Sequence, residues 1–232
     1  MVEKLDPLPN LTELAYLSIK RSMLEGKVEW HQRLTEDMLA SQLGISKSPV
    51  REALNTLQGE GLIRIESRRG AYLRQFTAQD VNDLYDLRGV LEAHAVAKAK
   101  VTPELLQALW QSVDDMKQGL QSHDKVKHIE EDNRFHALIA QATGNEELGG
   151  TLRNVQNKIW LCRSKSYDLS SSTAPAAHAA IVEALESGDK KKAQRCMRDH
   201  IETVRKRLVK RIDEESRPGA KDKGKDYGDK KG

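Results

Sequence analysis

Residues 34–62 read LTEDMLASQLGISKSPVREALNTLQGEGL, and the spacing predicts two short helices joined by a tight turn. The first runs from Thr35 to Leu43, with Met38, Leu39 and Leu43 on one apolar face. Gly44 falls where a helix end favours a left-handed residue, and Ser46 can cap the helix that follows. That second helix, Lys47 to Gln58, carries Val50, Ala53, Leu54 and Leu57 at the i, i+3, i+4, i+7 spacing of a buried stripe. Lys47, Ser48, Arg51 and Asn55 are then left on the outward face. Donors and cations gathered on the N-terminal half of a second helix suit a recognition helix entering the DNA major groove.

Working outward, Leu62–Glu66 and Ala71–Gln75 are strand candidates on either side of Ser67-Arg68-Arg69-Gly70. They form a β-hairpin with two arginines and a glycine at its tip, a wing able to reach the minor groove. A solvated hairpin with incidental arginines is the plainer reading. From Ile45 to Gln75 the chain holds Lys47, Arg51, Arg64, Arg68, Arg69 and Arg74 against Glu52, Glu60 and Glu66. The local excess of positive charge lies on the second helix and the wing, which suits DNA binding, although many neutral proteins carry a basic face of this kind. Upstream, Leu11 to Glu25 is expected to be an amphipathic helix packing Leu14, Leu17, Ile19 and Leu24 behind the pair.

The runs GISKSPVREAL and LQGEGLIRIESRRGAYL closely resemble the winged helix-turn-helix of the GntR superfamily of bacterial transcription regulators, over roughly Leu11 to Phe76. The resemblance implies that Ser46, Lys47, Ser48, Pro49 and Arg51 of the recognition helix and Arg68, Arg69 and Gly70 of the wing meet DNA. Two positions depart from the family pattern. Lys47 stands where an arginine is usual, and lysine cannot make arginine's planar bidentate contact to guanine. Trp30-His31 replaces a Pro-Gly pair.

Composition is consistent with this class. The 232 residues are 38% hydrophobic and 31% charged with a net charge of +3, enough for one large or two modest domains. There is no apolar run of bilayer length, and the opening MVEKLDPLPN lacks the apolar core of a signal peptide. Cys162 and Cys196 make no disulfide framework, so a cytoplasmic protein that touches no membrane is expected.

Thr77-Ala78-Gln79-Asp80 has the form of a helix cap and first turn, which sets a boundary between a DNA-binding domain, 1–76, and a second domain, 77–212. No strand alternation follows. Helical periods recur at Asp80–Lys100, Pro103–Gln121, Lys125–Thr143, Glu146–Ser166, Pro175–Ser187 and Asp189–Ile212. Pro103, Gly144-Asn145, Ser170-Ser171-Ser172 and Gly188-Asp189 punctuate them. Six helices with short loops predict an antiparallel α-helical bundle and a mainly α protein. The polar, charge-balanced stretch 213–232 has nothing to bury and is expected to be disordered.

Polar residues interrupt the bundle's apolar faces. Ile129, Asp132, His136 and Ile139 share one face; His178 lies with Ile181 and Leu185; His200 lies among Ala193, Met197, Val204 and Leu208. One carboxylate and three imidazoles thus point inward from three helices. Each could be satisfied by a nearby hydroxyl or carbonyl, but four converging groups favour a divalent metal, with zinc or nickel suited to this donor set. Cys196, one turn before His200, could join or replace a ligand. Leu84, Arg88, Leu91 and Ala95 also share a face, which turns Arg88 inward, either to a salt bridge with Glu92 or Asp132 or toward a bound carboxylate. Trp160, Arg163 and Arg153 are further pocket candidates that helical phase cannot place.

The runs DNRFHALIA, ATGNEEL, AAHAAIVEALESGDKKKA and MRDH resemble the FCD ligand-binding domain of the FadR subfamily, over roughly Val81 to Val209. In its metal-binding members an Asp and a His four apart are followed by two more histidines. The resemblance implies Asp132, His136, His178 and His200 as metal ligands, and Arg88, in LRGVLE, as an effector contact. The expectation is a homodimeric regulator whose hold on a palindromic operator responds to a small organic acid. Two alternatives remain: a metal-dependent enzyme acting on a small acid, argued against by the lack of an HExxH motif or an evident general base, and a structural-metal regulator with no effector.

Overall fold

The computed structural model describes residues 10–66, 69–163 and 171–216. The chain runs α1 (Leu11–Leu24), α2 (Glu36–Leu43), α3 (Lys47–Gly59), β1 (Ile63–Glu66), β2 (Gly70–Leu73), α4 (Ala78–Lys98), α5 (Pro103–Gln121), α6 (Lys125–Gln141) and α7 (Glu146–Arg163). A 3₁₀ turn at Ser171–Thr173 leads into α8 (Ala174–Glu186) and α9 (Lys190–Ser216). No helix among the described residues is long and apolar enough to cross a membrane.

Local chemistry sets the N-terminal elements. The Thr35 side chain caps α2 by accepting from the Met38 N–H, and Gly44 ends it at φ 67°, in the left-handed region. Ser46 occupies the N-cap of α3 without using its hydroxyl to cap. β1 and β2 pair antiparallel, Ile63 opposite Leu73 and Glu66 opposite Gly70. Leu34 exchanges backbone bonds with Ala71 at 2.8 and 2.9 Å, pinning the hairpin to the start of α2. A side chain at Gly70, whose φ is 98°, would meet the Leu34 carbonyl at 2.9 Å, so this close approach needs glycine.

Val50, Ala53, Leu54 and Leu57 of α3 are buried, as their spacing predicts. The face expected of α1 is corrected. Ala15, Ile19 and Met23, four residues apart, form its buried stripe, whereas Leu14 and Leu17 are each 52% exposed. Apolar residues surround much of α1, so composition did not mark the buried side, and contact with α3 chose it. The Leu24 side chain lies outside the described residues.

The six helices α4–α9 form the expected bundle, with ends that differ from the sequence reading by up to four residues. Thr77 and Asp80 close a reciprocal capping box at the start of α4. A second correction concerns residues 213–216, which continue α9 as helix instead of starting a disordered tail. Lys210 and Glu214 face each other at 4.0 Å one turn apart there. Residues 217–232 lie outside the described residues.

One helix belongs to both hydrophobic cores. On α7, Leu152, Val155 and Ile159 pack in the bundle core, while Leu161 is buried in the core built by α1–α3 and the hairpin. Phe76 packs against both. Leu161→Ala would open a void on the N-terminal side of this joint and is expected to destabilise the protein by about 2–5 kcal/mol. Urea unfolding followed by circular dichroism would measure the loss; an unchanged midpoint would show that Leu161 adds nothing to the joint.

Candidate functional site

Asp132 and His136, one turn apart on α6, meet His178 of α8 and His200 of α9 in the centre of the bundle. One ligand atom from each lies within 4.8 Å of all the others, and all four residues are buried. The convergence expected from the sequence is therefore present. Cys196 is only half-buried and is not among these donors.

The surroundings orient each donor. The Glu92 carboxylate on α4 accepts from His136 Nδ1, which fixes the ring and turns Nε2 away from Glu92. His136 Nε2 is buried with no hydrogen-bond partner. Arg163, at the end of α7, donates to Asp132 Oδ2, while Oδ1 is left without a hydrogen bond and lies 3.5 Å from His178 Nε2. His178 Nε2 and His200 Nε2 are 3.2 Å apart. Phe135 stacks on the His178 ring at 4.0 Å between centroids and fixes its plane.

Electrostatics favour ligand-ready forms of Asp132, His178 and His200. Burial would raise the Asp132 carboxyl, but the charge of the Arg163 guanidinium beside it, foremost among its neighbours, overcomes this and holds Asp132 well below the usual carboxylate range. Burial pushes His178 and His200 well below the ordinary imidazole value. Glu92 is likewise lowered: burial opposes ionisation, and His136 and Arg88 outweigh it.

This donor set fits a divalent ion. Two nitrogens each about 2.1 Å from one metal lie roughly 3–3.5 Å apart, which brackets the separation of the two Nε2 atoms. The free Asp132 Oδ1 and His136 Nε2 are the kind of orphaned buried atoms that otherwise cost free energy.

Arg88 is buried and donates through Nε to Glu92 at 2.7 Å, so the salt-bridge alternative read from the sequence is realised. Its Nη2 has no hydrogen-bond partner, nor do Tyr85 Oη, Arg163 Nε or Trp160 Nε1. Arg153 is exposed and lines a separate groove of about 600 Å³ beside Asn133, Arg134 and Gln156. Sequence reasoning missed that Glu92 also orients His136. It left Arg163 unplaced, because its role needs the α6–α7 separation.

On the N-terminal domain, Lys47, Ser48, Arg51 and Asn55 are exposed on α3 and Pro49 is half-buried. Arg51 is bound bidentately by Glu36 at the start of α2, and Lys47 pairs with Asp37. Arg69 is exposed beside Glu66 at 3.9 Å; Arg68 lies outside the described residues.

Comparison with known proteins bears on this two-part arrangement. The FCD domain model matches residues 83–203, just over half of the chain. The chain belongs to the FCD family. Residues 7–73 match the model of bacterial regulatory proteins of the gntR family, and the protein is a transcription regulator of that family. It is 28% identical over 204 residues to the uncharacterised HTH-type transcriptional regulator YdhC of Bacillus subtilis, covering 85% of this chain and 91% of that one. The fold is similar to Escherichia coli McbR/YncC, with a TM-score of 0.78 at 20% identity over 88% of this chain and 99% of that one. A GntR regulator from Rhodococcus gives 0.76 at 21% identity, over 86% and 97%. These matches favour a regulator over the enzyme alternative.

Within the FCD bundle, Arg163→Ala would leave Asp132 as a buried carboxylate without its strongest counter-charge. Chelator-treated protein carrying it is expected to lose about 3–5 kcal/mol of stability. Chemical denaturation measures this directly, and a loss under about 1 kcal/mol would contradict the pairing.

Proposed function

We propose that this regulator holds one divalent ion, zinc or nickel, on Asp132, His136, His178 and His200, and that a small carboxylate effector bound there through Arg88 changes its affinity for operator DNA. The observation that carries the reading is the buried meeting of four donors from three helices, three of them with a buried polar atom that has no hydrogen-bond partner. When bound, such an ion supplies positive charge and coordination positions suited to a carboxylate oxygen. The Nη2 of Arg88 offers a charge-assisted hydrogen bond to the same group.

The DNA-binding unit is residues 1–76, with Ser46, Lys47, Ser48, Pro49 and Arg51 in the major groove and Arg68, Arg69 and Gly70 at the wing. Residues 77–212 form the effector and dimerisation unit. Two copies related by a two-fold axis would place two recognition helices on a palindromic cytoplasmic operator.

Two routes can carry the response. α4 bears Arg88 and Glu92 and begins beside the hairpin, where Arg74 faces Asp80 at 3.6 Å. α7 bears Arg163, the partner of Asp132, and its Asn157 accepts from Lys20 at 3.0 Å and donates to Glu60 at 3.2 Å. Glu60 caps the C-terminus of α3 and also accepts from Tyr16 at 2.7 Å. A shift of α4 at the donor set therefore reaches the hairpin, and a shift of α7 the end of the recognition helix, through direct contacts.

Metal analysis of freshly purified protein is expected to find about one divalent ion per chain, lost in strong chelator. His178→Ala should lower both metal content and Tm, since it removes a ligand present only in the native state. Glu92→Gln should weaken metal binding by about 10- to 100-fold by releasing the His136 ring. No ion in fresh protein, with no stabilisation by added zinc or nickel, would overturn the metal centre.

The effector is tested by thermal-shift screening of organic acids, followed by affinity for a duplex selected from a random pool. A responding acid should change that affinity by roughly 5- to 150-fold. Arg88→Ala should keep the metal and DNA binding but lose this change. A wild-type response would place the carboxylate elsewhere, and loss of the metal would assign Arg88 a scaffolding role through Glu92.

A further inference from the structure

The α2–α3 corner contains an arrangement that recognition of DNA by Arg51 alone does not require. Arg51 is exposed on α3, yet its guanidinium is bound side-on by Glu36, the first residue of α2. Nε donates to Oε1 at 2.8 Å and Nη2 to Oε2 at 2.6 Å. A guanidinium has five N–H groups in a rigid plane. The two bonds to Glu36 use the inner edge, and the protons left on Nη1 and Nη2 lie at the outer end of the fork. That end-on pair matches two adjacent acceptors such as O6 and N7 of guanine.

We infer that Glu36 is a positioning residue for sequence readout: it holds the Arg51 fork so that its outer edge meets a guanine in the major groove. This rests on the DNA-binding role proposed for Arg51. Arginine loses much rotamer freedom when fixed by a single contact, and a partner that fixes it beforehand moves that cost from binding to folding. Single exposed ion pairs usually contribute little, but bidentate arginine–carboxylate geometry is the recognised exception. The location on α2 also helps: a carboxylate in the first turn is favoured by the helix dipole. Glu36 and Asp37 both sit there, and they hold Arg51 and Lys47 respectively. Lysine has no fork to orient, so the positioning effect is specific to the Glu36–Arg51 pair.

The experiment separates positioning from simple charge. Removing an acid near DNA would tighten binding to every duplex alike, whereas losing a positioning contact lowers the preference for the correct one. Full-length wild type, Glu36→Ala, Glu36→Gln and Arg51→Ala are compared on a duplex selected by the wild-type protein from a random pool and on an unrelated duplex of equal length. The readout is the ratio of the two Kd values, with Tm confirming that each variant folds. Glu36→Ala is expected to lower the ratio about tenfold, and Glu36→Gln, which keeps one acceptor, by less. The Glu36→Ala, Arg51→Ala double variant should be no worse than Arg51→Ala alone. Replacing one guanine of the selected duplex with 7-deazaguanine should weaken wild-type binding and leave Arg51→Ala unaffected. An unchanged ratio in both Glu36 variants, with Arg51→Ala impaired, would overturn the positioning role and leave the DNA-binding reading standing. If 7-deazaguanine is silent at every guanine, Arg51 does not read guanine and the inference fails. An unchanged ratio in Arg51→Ala would remove the DNA-reading assignment itself.

Discussion

A carboxylate buried away from solvent must be neutralised by its neighbours, and Asp132 is such a group. Arg163 meets one of its oxygens from α7, and three imidazoles crowd the other side. Breaking one member of a buried charged set leaves the remainder uncompensated, so the set acts as a unit. Its members come from α6, α7, α8 and α9, with α4 joined through Glu92 and His136. The polar centre therefore fixes how these helices sit, while the surrounding apolar residues supply most of the burial.

The same arrangement ties the centre to the DNA-binding half. α7 contributes Arg163 to the buried set, Leu161 to the N-terminal core and Asn157 to the contact with Glu60. A helix is stiff along its axis, so these side chains cannot move independently of one another. Lys20 adds to the joint by lying 4.9 Å from the Tyr16 ring and 5.6 Å from the Trp160 ring. The proposed response to an effector needs such a shared element, and α7 and the α4 cap both join the halves.

Much of this was legible in the chain. The helix-turn-helix declared itself through Gly44 and the α3 stripe, both local signals. Thr77 and Asp80 marked the start of the bundle in the same way. The inward direction of Asp132, His136, His178, His200 and Arg88 followed from helical phase, since a polar residue within an apolar stripe has only one side to face. Phase misled at α1, where leucines on several sides left Leu14 and Leu17 indistinguishable from core residues until α3 took Ala15, Ile19 and Met23 instead.

What the sequence by itself determined was each helix's type, its approximate span and, α1 excepted, its buried face, because the 3.6-residue repeat and the capping bonds act within a few residues. Only the tertiary structure decided which inward groups touch. That Glu92 reaches His136 across 44 residues, that Arg163 rather than Arg88 meets Asp132, and that Glu36 takes both inner donors of Arg51 are set by distances between helices. Those distances come from packing side chains on neighbouring helices, a property of the assembled chain that no single segment's periodicity contains.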